Sequence, residues 1–110
     1  MAYPTDTFAA IDLTAPSSDT DMVAASSGKS IGVAYLALVC SAACTLLIKS
    51  GSTTIAKYTV NANGGVIEQR PPDQGRSRYV LRTVAGEALK VNASAGNVAG
   101  HIVYHLIDET

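Results

Sequence analysis

The sequence predicts an all-β fold, a two-sheet antiparallel sandwich (jelly-roll-like) of about eight strands with an N-terminal arm. Three observations predict it. Turn signals recur at close spacing: Pro16-Ser17-Ser18-Asp19, Ser26-Ser27-Gly28, Ser50-Gly51-Ser52, Asn61-Ala62-Asn63-Gly64-Gly65, Pro71-Pro72-Asp73-Gln74-Gly75, Ala85-Gly86 and Ala95-Gly96-Asn97. The runs between them are rich in Val, Ile, Thr and Tyr, and the clearest alternate apolar with polar residues. No run keeps a helical period between breakers, so almost no helix is expected.

A single domain accounts for the 110 residues, with 1–28 read as the arm and first strands and 29–110 as the sandwich core. The first segment holds Asp6, Asp12, Asp19 and Asp21 but no Lys or Arg. It also carries Phe8, Ile11 and Leu13, apolar residues that a solvated tail does not need. An arm of this kind gains order by adding to a partner's surface. On that reading, removing residues 1–20 leaves a folded domain that no longer assembles.

Residues Ile31 to Ile48 contain no charge and are bracketed by Lys29 and Lys49. The length would suit a membrane span, but Gly32, Ser41, Thr45 and several alanines dilute it. It divides better into two buried strands, Ile31–Val39 and Thr45–Ile48, joined by a Ser41-Ala42-Ala43 turn. Cys40 and Cys44 flank that turn, too few for a zinc site and best read as buried, reduced thiols.

Further along, Tyr79 and Leu81 alternate with Arg78 and Arg82, and Leu89 and Val91 with Lys90 and Asn92. Both strands read as one face in and one face wet. In the final strand Val98, Gly100, Ile102, Tyr104 and Leu106 share one face; Ala99, His101, Val103, His105 and Ile107 share the other. This second face is half apolar and calls for partial cover by a neighbouring subunit or loop. The expected core is Leu36, Leu38, Leu46, Ile48, Ile102, Tyr104 and Leu106.

The charge balance bears on partners. With a formal charge of -1 the chain lacks the basic face of a nucleic-acid binder. Arg70, Arg76, Arg78 and Arg82 fall in one stretch, and together with the acidic N-terminal segment they could form complementary patches between subunits. Solvated loops and edge strands are the plainer account. The start, Met1-Ala2-Tyr3-Pro4-Thr5-Asp6, has neither the basic residues nor the apolar run of a secretory signal.

Several motifs fail on inspection. Ser27-Gly28-Lys29-Ser30 resembles the tail of a phosphate-binding loop, but Val23 stands where its earlier glycine is required, and a strand follows instead of a helix. Asn92-Ala93-Ser94 matches a glycosylation acceptor only by chance if no secretory route exists. His101 and His105 lie roughly 13 Å apart along a strand, too far to share a metal's first shell. No spacing brings a nucleophile, a histidine and an acid together. No cofactor, metal or catalytic activity is therefore expected. Sugar binding remains a rival, although with no Trp and one Phe it would rest on the five tyrosines.

Two segments carry a resemblance. One is Leu47-Ile48-Lys49-Ser50-Gly51-Ser52-Thr53-Thr54-Ile55, followed by Asn63-Gly64-Gly65-Val66. The other runs from Thr83-Val84-Ala85-Gly86-Glu87-Ala88-Leu89-Lys90-Val91-Asn92-Ala93-Ser94-Ala95 to Gly100-His101-Ile102-Val103-Tyr104. In this order they resemble small structural proteins of tailed bacteriophages, of the head decoration (cement) type. The resemblance spans residues 30–107. It implies a virion protein, made in the host cytoplasm, that binds a major capsid or other virion protein. A neck, tail or fibre-base subunit is the alternative within the particle, and a carbohydrate-binding sandwich the alternative outside it. The small core and half-apolar strand face further suggest a homo-oligomer, a trimer before a dimer. The residues expected to make these contacts are Phe8, Ile11, Leu13, Arg70, Arg76, Arg78, Arg82, Val103 and Ile107.

Overall fold

The computed structural model describes residues 7–69 and 79–108. They form nine strands and no helix: β1 (Thr7–Leu13), β2 (Thr20–Val23), β3 (Lys29–Cys40), β4 (Cys44–Ser50), β5 (Thr53–Val60), β6 (Gly65–Gln69), β7 (Leu81–Arg82), β8 (Leu89–Ala93) and β9 (Val98–Asp108). One sheet, here sheet A, has the order β1-β9-β3-β6, with β7 also on β3; the other, sheet B, has the order β2-β8-β4-β5. Every pairing is antiparallel. Each position in sheet A is matched in sheet B by a chain neighbour: β1 by β2, β9 by β8, β3 by β4, β6 by β5. That nesting is the strand order of a jelly roll.

The core lies between the sheets and follows from side-chain alternation. In β4, Cys44, Leu46, Ile48 and Ser50 are buried while Thr45, Leu47 and Lys49 are not. β8 sends Leu89, Val91 and Ala93 inward in the same way. β3 breaks the rule usefully. Its register with β9 shifts between Val33 and Tyr35, so Ala34 is an extra residue and the inward positions change from Ile31 and Val33 to Leu36, Leu38 and Cys40. The bulge keeps one long strand facing the core on both sides of a phase change. Each fully buried Leu or Ile contributes about 1.5–3 kcal/mol relative to exposure.

Of the expected core, Leu36, Leu38, Leu46, Ile48 and Ile102 are buried and Tyr104 packs partly against them. Leu106 differs. It lies near the end of β9, beyond good cover from the opposite sheet, and is 40% exposed.

The expected arm also differs where it is described. Residues 7–13 pair with β9 along their whole length, from Thr7↔Tyr104 to Leu13↔Val98. Ile11 is in the core, 6% exposed, so its side chain packs within its own chain and not on another surface as a free arm's would. The chain then turns through Ala15, whose amide donates to Asn97 Oδ1 at 2.9 Å, and Pro16, whose carbonyl accepts from Ala93 N at 2.8 Å. β2 follows on β8. The N-terminal segment is thus two strands of the sandwich, one in each sheet.

The Ser41-Ala42-Ala43 turn carries the chain from sheet A to sheet B, so the uncharged stretch becomes two strands facing each other across the core. No helix among the described residues is long and apolar enough to cross a membrane. Ser26-Ser27-Gly28 is a turn as expected: Lys29 N donates to Ser26 O at 3.1 Å and Gly28 takes a φ of 72° that favours glycine.

On one side of the sandwich β5 and β6 are clasped together. Tyr58 Oη donates to Glu68 Oε2 at 3.1 Å. Burial, then the nearby Glu68 carboxylate, pushes the Tyr58 phenol from 10.0 up to about 12. A folded value above the unfolded one means stability that is complete below pH ~10 and is lost as pH rises through about 12. Urea unfolding across pH 9–12 should show falling stability. Tyr58→Phe should reduce that slope while costing about 1 kcal/mol at neutral pH. The slope should not vanish, because Lys90 is also raised, chiefly by its bond to Asp21.

Candidate functional site

The two outward faces have opposite chemistry. On sheet B, Lys49 Nζ donates to Asp19 at 2.9 and 3.0 Å, and Asn92 Nδ2 donates to the same carboxylate at 3.1 Å. These bonds, Lys49 first, hold the Asp19 carboxyl below its usual range. Lys90 pairs with Asp21 at 2.8 Å. Asp19 and Asp21 therefore find cations within their own chain. Such exposed pairs make a solvated face and add little to stability.

Sheet A presents an apolar outward face. Its registers set residues in rows across β1, β9, β3 and β6. Phe8, Val103, Tyr35 and Gln69 form one row; Ala10, His101, Ala37 and Ile67 the next; Asp12, Ala99, Val39 and Gly65 the third. Side chains opposite one another share a face, and diagonal neighbours lie within reach of aromatic rings. Phe8 and Tyr35, on either side of Val103, both lean to the next row and stack on His101. The ring centroids are 5.1 and 5.3 Å apart, with interplanar angles of 21° and 11°. Three strands thus build one aromatic rib with His101 at its centre. Around it Phe8 is 65% exposed, Ile67 70% and Val39 50%. Asp12 is the charged residue in these rows.

The same face is closed at its other end. Gly32, paired with His105, has no side chain, and the Tyr79 ring fills that space: a Cβ on Gly32 would stand 2.7 Å from it. The Tyr79 hydroxyl hydrogen-bonds His105 Nε2 at 2.5 Å, and the rings meet edge-on at 4.9 Å. Arg82 Nε donates to Ser30 Oγ at 3.2 Å, and the Thr83 hydroxyl accepts from Ile31 N at 2.8 Å. His105 is consequently buried while His101, four residues earlier on the same face, is half-exposed between Phe8 and Tyr35.

The expected contact residues scatter accordingly. Phe8 and Val103 stand on the open end of the face. Ile107 is half-buried at the closed end, and Arg82 is tied to Ser30 there. Leu13 packs partly on the core beside Ile11. Arg70, Arg76 and Arg78 lie outside the described residues. Tyr35, Val39, Ile67 and His101 are contributors that the sequence reading did not name. His101 could have been found, since alternation already placed it beside Val103. Tyr35 and Val39 were hidden inside an uncharged run that read as wholly buried.

Cys40 and Cys44 are buried and unbridged. Burial, then the hydrogen bond with Cys44, pushes the Cys40 thiol up to about 11, so it stays protonated at neutral pH. No group of three His, Cys, Asp or Glu suited to a metal ion occurs among the described residues. The arrangement offers a continuous aromatic and aliphatic surface with few charges to desolvate. Comparison with known protein families, curated proteins and solved structures finds no match to this chain.

Proposed function

We propose that this protein is a structural assembly subunit that docks on a protein partner through the open end of the outer face of sheet A. The Phe8–His101–Tyr35 rib, with Ile67, Val39 and Val103 around it, is the observation that carries this reading. A contiguous exposed apolar patch marks an interaction surface more often than an accident of composition. Aromatic anchors dominate binding energy where they become fully desolvated. Strands held by ladder hydrogen bonds also lose little freedom on docking.

The setting we propose is a bacteriophage particle, with the chain as a head decoration (cement) protein on the major capsid protein. The resemblance supports it in a specific way. The Gly100-His101-Ile102-Val103-Tyr104 segment that carries it supplies two outward residues of the face, His101 and Val103, and the inward Ile102. A neck, tail or fibre-base station would use the same face. A glycan-binding role draws support from the exposed Phe8 ring alone.

The test is binding of purified protein to isolated phage heads. Phe8→Ser and Ile67→Ser should each weaken binding at least about tenfold, or ~1.4 kcal/mol. Both sites are exposed, so unfolding midpoints should move little. Undiminished binding by the double variant would remove the face from the reading. Labelling confined to neck or tail would favour those stations, and a glycan-array signal lost in Phe8→Ser would favour sugar.

A further inference from the structure

Among the described residues the two sheets end in five strands, and four of them are guarded against further pairing; β7, which shares the β3 flank with β6, has only two residues, one of them Arg82. β2 has four residues, a register irregularity between Asp21 and Val23, and a charge pair from Asp21 to Lys90. β5 carries exposed Lys57, and its register with β4 shifts between Ile48 and Lys49. β6 is short and clasped to β5 through Tyr58 and Glu68. Short length, bulges and inserted charge are the usual devices that keep a sheet edge from recruiting another strand.

β1 is neither short nor irregular in register, and its one charge is Asp12. Its seven residues, Thr-Phe-Ala-Ala-Ile-Asp-Leu, keep an unbroken register with β9 and include no Lys, Arg, Pro or Gly. Among the described residues nothing pairs with its other side. Ala9 and Leu13 remain only partly covered at the margin of the core. Among the described residues the edge is regular, mostly apolar and open.

We propose that β1 is the seat of a twofold self-association, in which the β1 strands of two copies pair antiparallel and join their A sheets into one. The backbone complement of an open strand edge is another extended strand, and a second copy brings an identical one. The residues of β1 suit a twofold axis through Ala10. In that register Ala10 faces its own copy, Ala9 faces Ile11 of the second copy, Thr7 faces Leu13, and Phe8 faces Asp12. Small methyl groups meet on the axis, where bulk would hold the strands apart. The strand's one charge, Asp12, stands opposite a ring, and the two copies of Asp12 are roughly 13 Å apart by strand rise. Ile11 and Leu13 of both copies extend the apolar inner layer past the edge. A twofold pair closes as a dimer, in place of the trimer expected from the small core and half-apolar strand face.

The experiment uses the isolated full chain, so its outcome is separate from whether the sheet A face docks on a particle. Ala10 is exposed, and Ala10→Lys or Ala10→Glu leaves the pairing with β9 intact while placing like charges opposite each other on the axis. Sedimentation velocity at high-micromolar concentration should give a dimer for the native chain. Each charged variant should be monomeric, with a cooperative unfolding transition retained, and a mixture of the two should recover a dimer. Amides of residues 7–13 should exchange more slowly as concentration rises in the native chain alone. A native chain that stays monomeric, or forms a trimer, overturns the proposal. So do charged variants that still dimerise alone, and a mixture that fails to reassociate.

Discussion

A chain lacking residues 1–20 is expected not to fold. The deletion removes all of β1, and with it the ladder from Thr7↔Tyr104 to Leu13↔Val98. It takes Ile11 out of the core and exposes the flank of β9, the central strand that also carries Val98 and Ile102. It further removes the Ala15 and Pro16 bonds that fasten the chain to the β8–β9 turn. Ile11→Ala alone should cost about 2–5 kcal/mol, the range for truncating a buried Ile. Since a domain of this size has only about 5–15 kcal/mol of total stability, the larger deletion should exhaust it. Circular dichroism and urea unfolding of the truncated chain provide the check. A cooperative transition near the native midpoint would show that β1 is dispensable, as an arm would be.

The largest loss from a single added methyl group is expected at Gly100→Ala. Gly100 adopts a φ of 144°, a conformation that L side chains rarely take. It also lies where β9 crosses close to β3: a Cβ there would stand 1.9 Å from the Ala37 carbonyl oxygen and 3.1 Å from Leu38 Cα. Both neighbours are backbone, so relief requires β3 or β9 to move, and either movement disturbs Leu38 and Ile102 in the core. A cost of about 3 kcal/mol or more is expected, in the range of severe packing defects. Gly86→Ala provides the comparison. Gly86 has a φ of 83° but nothing within 4 Å of an added Cβ, so only backbone strain of about 1–2 kcal/mol applies. Equal midpoints for the two variants in guanidinium unfolding would mean that the strands separate more easily than their packing suggests.

How much of this was legible beforehand differs from element to element. β8 and β9 were readable because each is half-buried, and an alternation such as Leu89–Lys90–Val91 writes burial directly into the sequence, whereas β4, apolar throughout Leu46–Leu47–Ile48, read only as a buried strand. β3 was readable as a strand but not as two phases. The Ala34 bulge that shifts its inward set is fixed by pairing with β9, and an alanine in an apolar run gives no sign of it. The first 28 residues misled for a related reason. Acidic residues and prolines suggest a tail, yet Asp19 and Asp21 are balanced by Lys49 and Lys90, which lie far along the chain. Ile11 is likewise a core residue only because β9 comes to lie beside it.

The candidate face shows the same division. That one side of the final strand was half apolar could be read from His101, Val103, His105 and Ile107 alone. Which of these stays open could not. Tyr79 covers His105 because Gly32, on a third strand, leaves the room, whereas His101 is met by Phe8 and Tyr35 and remains at the surface. The sequence by itself determined the all-β class, the positions of most strands and turns, and the sidedness of the clearly alternating strands β8 and β9, since all depend on neighbours within a few residues. The tertiary structure alone decided sheet order, register and the choice between covered and exposed outward positions. Those depend on contacts between residues as far apart as Phe8 and His101, and a two-residue period carries no information about which distant strand will stand next to it.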